Sequence, residues 1–333
     1  MLKKQLSILI LFTSFTLLGQ NSNNFITNGT PILRVFAKYS SNLGGNSTIE
    51  PYEGMELSRA YLGYKAQIDS SFHVKLVMDV ENKTGRFDTY LKNASLSYNK
   101  NQFEINIGLI STTQFAIQEK TWGHRYIQKS YQDQYKYNSS ADLGVSIFYN
   151  FKPWLNLDFI FQNGEGYKNV DPTGTYRGGF GLTVKILKSI TYRAYYDFSI
   201  KTDISRENYA TFIAYNFKKT FSIGAEFNYQ KNNNFIENHN LYGYSIFSTY
   251  NYNNHWSIIA RYDNSMSNTI TTDLTRIEPQ PWNANRDEQM IFAGIQYKLS
   301  NKVATSINYR RTLSAVRYSD WLNWFFINIE FKL

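Results

Sequence analysis

Apolar and polar residues alternate along most of this chain with a period of two, a spacing that suits a half-buried β-strand and not a helix. Phe103, Ile105, Ile107 and Leu109 take every second place, and so do Ala141, Leu143, Val145, Ile147 and Tyr149. Comparable segments recur from Leu33 to Leu333, about sixteen in all, an even number of the kind a closed antiparallel barrel requires. None of the alternate residues read as facing outward is charged, although 18% of the chain is Asp, Glu, Lys or Arg. In four short turns the flanking outward residues stand four apart: Ile68 and Phe72, Ile186 and Ile190, Phe217 and Phe221, Leu299 and Val303. Only an even offset keeps both strands of a hairpin on one face.

An uncharged, strongly aromatic outer face points to lipid. The chain holds 27 Tyr and 24 Phe, and Tyr39, Tyr64, Tyr98, Tyr149, Tyr229, Trp256 and Tyr262 fall near strand ends, where a phenol or indole can be half wet. Mean hydropathy is only −0.44, as expected when each strand shows an apolar residue at alternate positions alone. The reading is therefore all-β: a transmembrane, antiparallel, up-and-down barrel. A soluble β-sandwich or β-helix would share the alternation but not the uncharged face.

The N-terminus adds Lys3 and Lys4, an apolar run from Leu6 to Leu18, and then Gln20 to Asn24. That is the pattern of a cleaved secretory signal peptide, taken as residues 1–20, with the barrel over 21–333. The run is shorter than the ~20 apolar residues that a membrane helix needs. Cysteine is absent, which removes disulfides, thiolate metal sites and lipid attachment through cysteine. The net charge of +9 is scattered along alternating strands with no basic helix, so nucleic acid is not an expected partner. The expected location is the outer membrane of a Gram-negative cell.

One stretch breaks the alternation for about thirty residues, Ser111 to Ser140, well beyond the ~12 to 15 at which an unstructured loop is usually functional or disordered. Its Phe115, Trp122, Tyr126, Tyr131, Tyr135 and Tyr137 are costly to leave in water. The segment reads as a loop folded into the barrel, where Lys120, His124, Arg125, Lys129 and Lys136 would line a pore constriction. An extracellular flap is the other reading.

The residues ELSRAYLGYKAQIDSSFHVKLVMDVEN (Glu56 to Asn82), then LKNASLSYNKNQFEINIGLI and the loop core TWGHRYIQKSYQD, resemble the phosphate-selective porin O and P family of Bacteroidota-type bacteria. The resemblance covers roughly Glu56 to Val145 and is architectural beyond it. It implies a sixteen-stranded, trimeric outer-membrane barrel whose third long loop folds inward. A lumen ladder dominated by arginine, which that resemblance would bring, is not plain here. Inward positions mix bases (Arg34, Arg59, Lys75, Arg177, Arg193, Arg261 and Arg310 as candidate pore wall) with acids such as Asp79, Asp158, Asp197, Glu226, Asp263 and Glu330.

The expected function is passive diffusion of small hydrophilic solutes, with a mild preference for anions and phosphate as a candidate. Expected partners are those solutes, outer-membrane lipids and two further copies of the chain. No cofactor, metal or catalytic residue is expected: there is no GxSxG or HExxH motif, and His73, His124, His239 and His255 lack ligand spacing. Two alternatives stand beside the porin: a barrel hydrolase acting on lipid or peptide, with His239 or His255 at its rim, and a closed structural or adhesion barrel.

Overall fold

A computed structural model of the chain describes residues 28–44, 52–83, 85–169, 174–269, 281–284, 286–314 and 321–333. The expected signal peptide, 1–20, lies outside the described residues. Sixteen strands follow in order. The first eight are β1 (Asn28–Asn42), β2 (Glu53–Gln67), β3 (Phe72–Lys83), β4 (Arg86–Lys100), β5 (Phe103–Ser111), β6 (Ala141–Lys152), β7 (Leu155–Gln162) and β8 (Arg177–Lys185). The second eight are β9 (Ile190–Lys201), β10 (Ile204–Phe217), β11 (Phe221–Lys231), β12 (Leu241–Asn251), β13 (Trp256–Ser267), β14 (Glu288–Lys298), β15 (Val303–Ser314) and β16 (Leu322–Lys332). Each pairs antiparallel with its neighbours in sequence, and β1 pairs with β16 to close the barrel. Closure leaves no strand edge unpaired, the condition for a sheet to cross a bilayer.

The alternation sets which way each strand faces. Leu62, Tyr64, Leu76, Ile107, Phe161, Ile213, Phe227, Ile258, Ile295 and Ile307 are exposed on the outer face, while Asp79, Asp158, Arg193, Asn228, Ser245 and Ser306 are buried on the inner one. Hairpin register agrees, with Phe217 directly opposite Phe221. A few outward residues are covered. Ala66 pairs with Gly29, over which the Tyr64 ring folds, and Val35 stands between Ala60 and Phe331.

Turns at one end are short, and a side chain caps three of them. Asp69 Oδ1 accepts from the Ser71 and Phe72 amides at 2.7 and 2.9 Å. Asn253 Oδ1 accepts from His255 and Trp256, both at 2.8 Å, and Ser300 Oγ from Lys302 and Val303, both at 3.1 Å. Each oxygen satisfies amides that would otherwise point out of the ladder. Aromatic pairs ring both ends of the barrel. Phe72–Tyr98, Phe103–Tyr149 and Trp256–Tyr297 lie near the short turns, with ring centroids 4.6 to 5.0 Å apart; Tyr196–Tyr209, Tyr209–Tyr229 and Tyr244–Tyr262 form the belt toward the long loops.

Among the described residues the register shifts at three places, once at Phe151 by the end of β6 and twice within longer strands. β2 has an extra residue, Ser58, opposite the Phe36–Ala37 step, and β4 has Lys92 opposite Val77–Met78. Beyond each bulge the outward set moves by one place, so Met55, Leu57, Phe87 and Leu91 are exposed outside the positions that strict alternation from Ala60 and Ala94 would give. A bulge adds one unpaired residue and bends its strand.

Candidate functional site

The segment between β5 and β6 packs against inward-facing wall residues. Within it, α1 (Ala116–Trp122) ends on Gly123, whose φ of 70° lets its amide bond back to Glu119 O at 3.0 Å, a left-handed stop that glycine adopts without a Cβ penalty. A single turn, α2 (Tyr131–Gln134), follows. Trp122, Tyr126 and Ile127 join one buried apolar cluster with Phe212, Ala214, Phe247, Ile259, Met290, Phe292 and Ala304 of β10 to β15, and with Phe36, Tyr61 and Val77 of β1 to β3. The Trp122 ring meets Phe247 and Phe292 edge-on at 5.3 and 6.0 Å, and its Nε1 donates to Gln128 O at 2.7 Å. Tyr131, fully buried, donates to Asn264 O at 2.9 Å in a space that exists because residue 243 is glycine: a Cβ there would overlap the Tyr131 hydroxyl.

Three wall arginines hold the segment by its main chain. Arg193 Nη2 donates to Thr113 O at 2.7 Å, Arg310 Nη2 to Ile127 O at 2.5 Å, and Arg261 Nη1 to Lys129 O at 2.6 Å. Arg193 and Arg261 are buried and each is also forked onto a carboxylate, Asp158 at 2.6 and 3.0 Å and Asp263 at 2.6 and 2.8 Å. Arg310 bonds the Gln128 side chain and lies 4.1 Å above the Phe326 ring. Charge-assisted bonds of this kind are the stronger class.

The other candidate residues are placed as follows. Arg34 pairs with Glu330, and Arg59 with Asp79 at 3.1 Å and with Glu81. Arg177 is completely buried and bonds Gln162. In the loop, Arg125 bridges Glu119 and Asp133, both at 2.6 Å. His124 is buried between Gln296 and Thr249, 3.0 Å from each, and burial pushes its pKa down to about 4. Lys129 is half-buried, while Lys120 and Lys136 are exposed, Lys136 at a φ of 58°.

Two cavities flank the loop, and Gly123 borders both. The larger, about 500 Å³, lies between α1 and the inner wall of β1 to β4, with Arg34, Lys75, Lys92, Lys120 and Arg125 against Glu119 as its charged lining. The smaller, about 280 Å³, opens toward the short turns beside His124 and carries Lys298, Lys302 and Lys332 against Glu330. Arg34 and Arg125 are neutralised by their partners, but among the described residues Lys75, Lys92, Lys120, Lys298, Lys302 and Lys332 pair with no carboxylate.

Lys92, Lys302 and Lys332 are missing from the sequence-derived candidates. Lys92 is the bulge residue, and the break in phase between Leu91 and Ala94 was its signal; its Nζ donates to Ser140 Oγ at 2.8 Å and sits over the Tyr61 and Tyr167 rings at 5.2 and 4.8 Å. Tyr167 comes from the connection between β7 and β8, and donates to Asp79 Oδ2 at 2.5 Å. Its neighbour Lys168 bonds Glu81. A second connection therefore reaches the inner wall, with no sequence signal beyond Gly164 and Gly166 at positive φ.

Solved structures resemble the whole barrel. OmpF of Salmonella typhi, in complex with daunomycin, superposes with a TM-score of 0.69 at 10% identity over 93% of this chain and 99% of its own. Its fold is that of outer-membrane β-barrels. The outer membrane channel DcaP of Acinetobacter baumannii gives 0.68 at 11% identity over 92% and 97%. The anion-selective porin of Comamonas acidovorans gives 0.62 at 10% over 92% and 99%. No protein-family model and no curated protein matches the sequence.

Proposed function

We propose that the chain is an outer-membrane porin that passes small hydrophilic solutes by diffusion along the two cavities beside the inward loop, with a mild preference for anions. The observation that carries this reading is the set of six lysines lining those cavities that, among the described residues, pair with no carboxylate. A fixed positive charge in a narrow, low-dielectric water path raises the local concentration of anions. Arg34, Arg59, Arg193, Arg261 and Arg310 contribute less than their number suggests, because carboxylates or loop carbonyls already occupy them. Phosphate is a candidate solute, in keeping with the resemblance over Glu56 to Val145, and the Comamonas porin of the same fold is described as anion-selective.

A barrel hydrolase is less well supported. His239 stacks on Trp282 at 4.3 Å and His255 Nδ1 lies 2.9 Å from Lys298 O, and among the described residues neither is bonded to a carboxylate. A homotrimer agrees with the aromatic outer face and with the trimer form of OmpT from Vibrio cholerae, another barrel of this fold (TM-score 0.59). An unheated, detergent-extracted species no larger than one barrel would count against it.

The deciding experiment is a reversal-potential measurement across planar bilayers in asymmetric KCl, on the wild type and a Lys75→Gln, Lys92→Gln, Lys120→Gln variant. The variant should move toward cation preference, and the difference should shrink as salt rises and the Debye length falls from ~10 Å at 0.1 M to ~3 Å at 1 M. Coincident potentials in dilute KCl would remove the basis for anion preference.

A further inference from the structure

A groove of about 690 Å³ runs along the outside of the barrel over β13 to β16. Its floor holds two small outward residues. Ala293 stands directly opposite Tyr309, and Thr305 opposite Tyr297 and Ile329, so each small side chain leaves a gap beside a large one. Trp256 and Ile258 wall the groove on one side, Tyr309 and Phe325 on the other. Its hydroxyls are already spent: Thr305 donates to Asn328 O at 3.0 Å and Tyr309 to Asn323 Oδ1 at 2.5 Å.

One end of the groove carries charge. Arg311 is the next outward residue of β15 beyond Tyr309, opposite Asn323, and it is exposed. Its guanidinium lies 4.6 Å above the Trp321 ring, and among the described residues it pairs with no carboxylate. Lys231, an outward base at the same rim on β11, is instead paired with Glu207 at 3.6 Å. Barrels of this kind put short turns on the periplasmic side and long loops outside, so Arg311 stands at the head-group level of the outer leaflet. From Thr305 to Arg311, β15 rises ~20 Å along its own axis, which at a strand tilt of ~40° is ~15 Å of depth, half of the ~30 Å hydrocarbon core. A groove one leaflet deep beneath an unpaired cation matches a lipid with an anionic head and a straight acyl chain. The planar guanidinium fork fits the oxygens of a phosphate, and stacking on an indole keeps that fork presented.

We infer that the outer face of β13 to β16 holds one phosphate-bearing glycolipid of the outer leaflet, of the lipid A class, with a phosphate on Arg311 and an acyl chain in the groove. A second copy of this chain is the competing occupant, and it would have to set a carboxylate against Arg311 or bury the charge unpaired, which is costly. The site lies outside the wall, and neither cavity beside the loop takes part in it.

The test is native mass spectrometry of the full barrel, extracted in detergent and titrated with monophosphoryl lipid A, with the same lipid after removal of its phosphate, and with phosphatidylcholine. One monophosphoryl lipid A should stay bound per barrel, about tenfold or more tightly than either of the other lipids. Arg311→Gln should lose that same factor, the loss that follows from removing a charge-assisted bond. Ala293→Trp fills the groove but leaves Arg311 in place, and should weaken both forms of lipid A. Lys231→Gln removes a rim base away from the groove and should change neither. Unheated gel mobility establishes that each variant is an assembled barrel and reports its size. Lipid A retention in Arg311→Gln or Ala293→Trp equal to that of the wild type overturns the inference. A smaller oligomer in those variants with lipid affinity unchanged would also overturn it, and would make this face an interface between copies.

Discussion

Trp122→Ala separates the stability of the barrel from that of the loop inside it. Trp122 is 1% exposed, packs edge-on against Phe247 and Phe292, lies 5.1 Å from the Arg261 guanidinium and donates its indole N–H to Gln128 O. Truncating a large buried aromatic to alanine costs about 3 to 5 kcal/mol. Here the cost falls on docking, because Trp122 lies outside every strand and its removal deletes no ladder hydrogen bond. At a factor of ten for each 1.4 kcal/mol, the ratio of undocked to docked loop rises by roughly 140-fold to 3,700-fold. The three arginine clamps, at about 1.5 to 3 kcal/mol for each hydrogen bond to a charged group, oppose full release, so the loop should detach intermittently. Single-channel recordings should show higher mean conductance and new, noisy open levels, with unheated gel mobility as in the wild type. If the Trp122→Ala trace is as quiet and as narrow as wild type, either the loop does not restrict the path or the indole does not hold it, and the packing argument fails.

Ile307→Arg places a charge on an outward residue that is 55% exposed, and should cost about 2 to 4 kcal/mol if the position is near the bilayer midplane. Ser95→Arg on the inner face of β4, paired with Lys75, should assemble normally; equal refolding yields from liposome titrations would mean the register is wrong. His124 gives a pH signature. Its neutral form is the one the folded loop accepts, so its contribution is present above the unfolded pKa of about 6.5 and is lost as pH falls toward about 4. Channel noise should therefore rise through that acidic window and stay flat above pH 7, and His124→Gln should flatten it; a profile identical in both proteins would rule His124 out.

The outward faces could be read in the sequence because lipid tolerates no charge at those places, and a two-residue period shows that directly. What the period concealed has a physical cause in each case. At Ser58 and Lys92 one inserted residue changes the phase, so the strand beyond it looks unpatterned until the bulge is placed. The bases on the wall were visible as inward residues, but whether Arg193 or Arg261 faces water depends on an acid two residues or two strands away and on a loop carbonyl with no signature in sequence. One further sign was present: at Phe212, Phe247, Ile259 and Phe292 apolar residues fill inward as well as outward places, and this continuous apolar stretch is the surface against which Trp122 and Ile127 pack.

The acceptors that Arg193, Arg261 and Arg310 use on the main chain of the loop are peptide oxygens, which every residue type possesses. Lys129, which is half-buried, could therefore be exchanged widely without loosening that bond, whereas Thr113 and Ile127 are also buried against the wall. At these three points the wall recognises a backbone path, and the exposed side chains of the insert, such as Lys120 and Lys136, lie outside that grip. Descendants of this chain could rewrite the charge of the insert, and with it what the barrel admits, while the sixteen strands around it stay as they are.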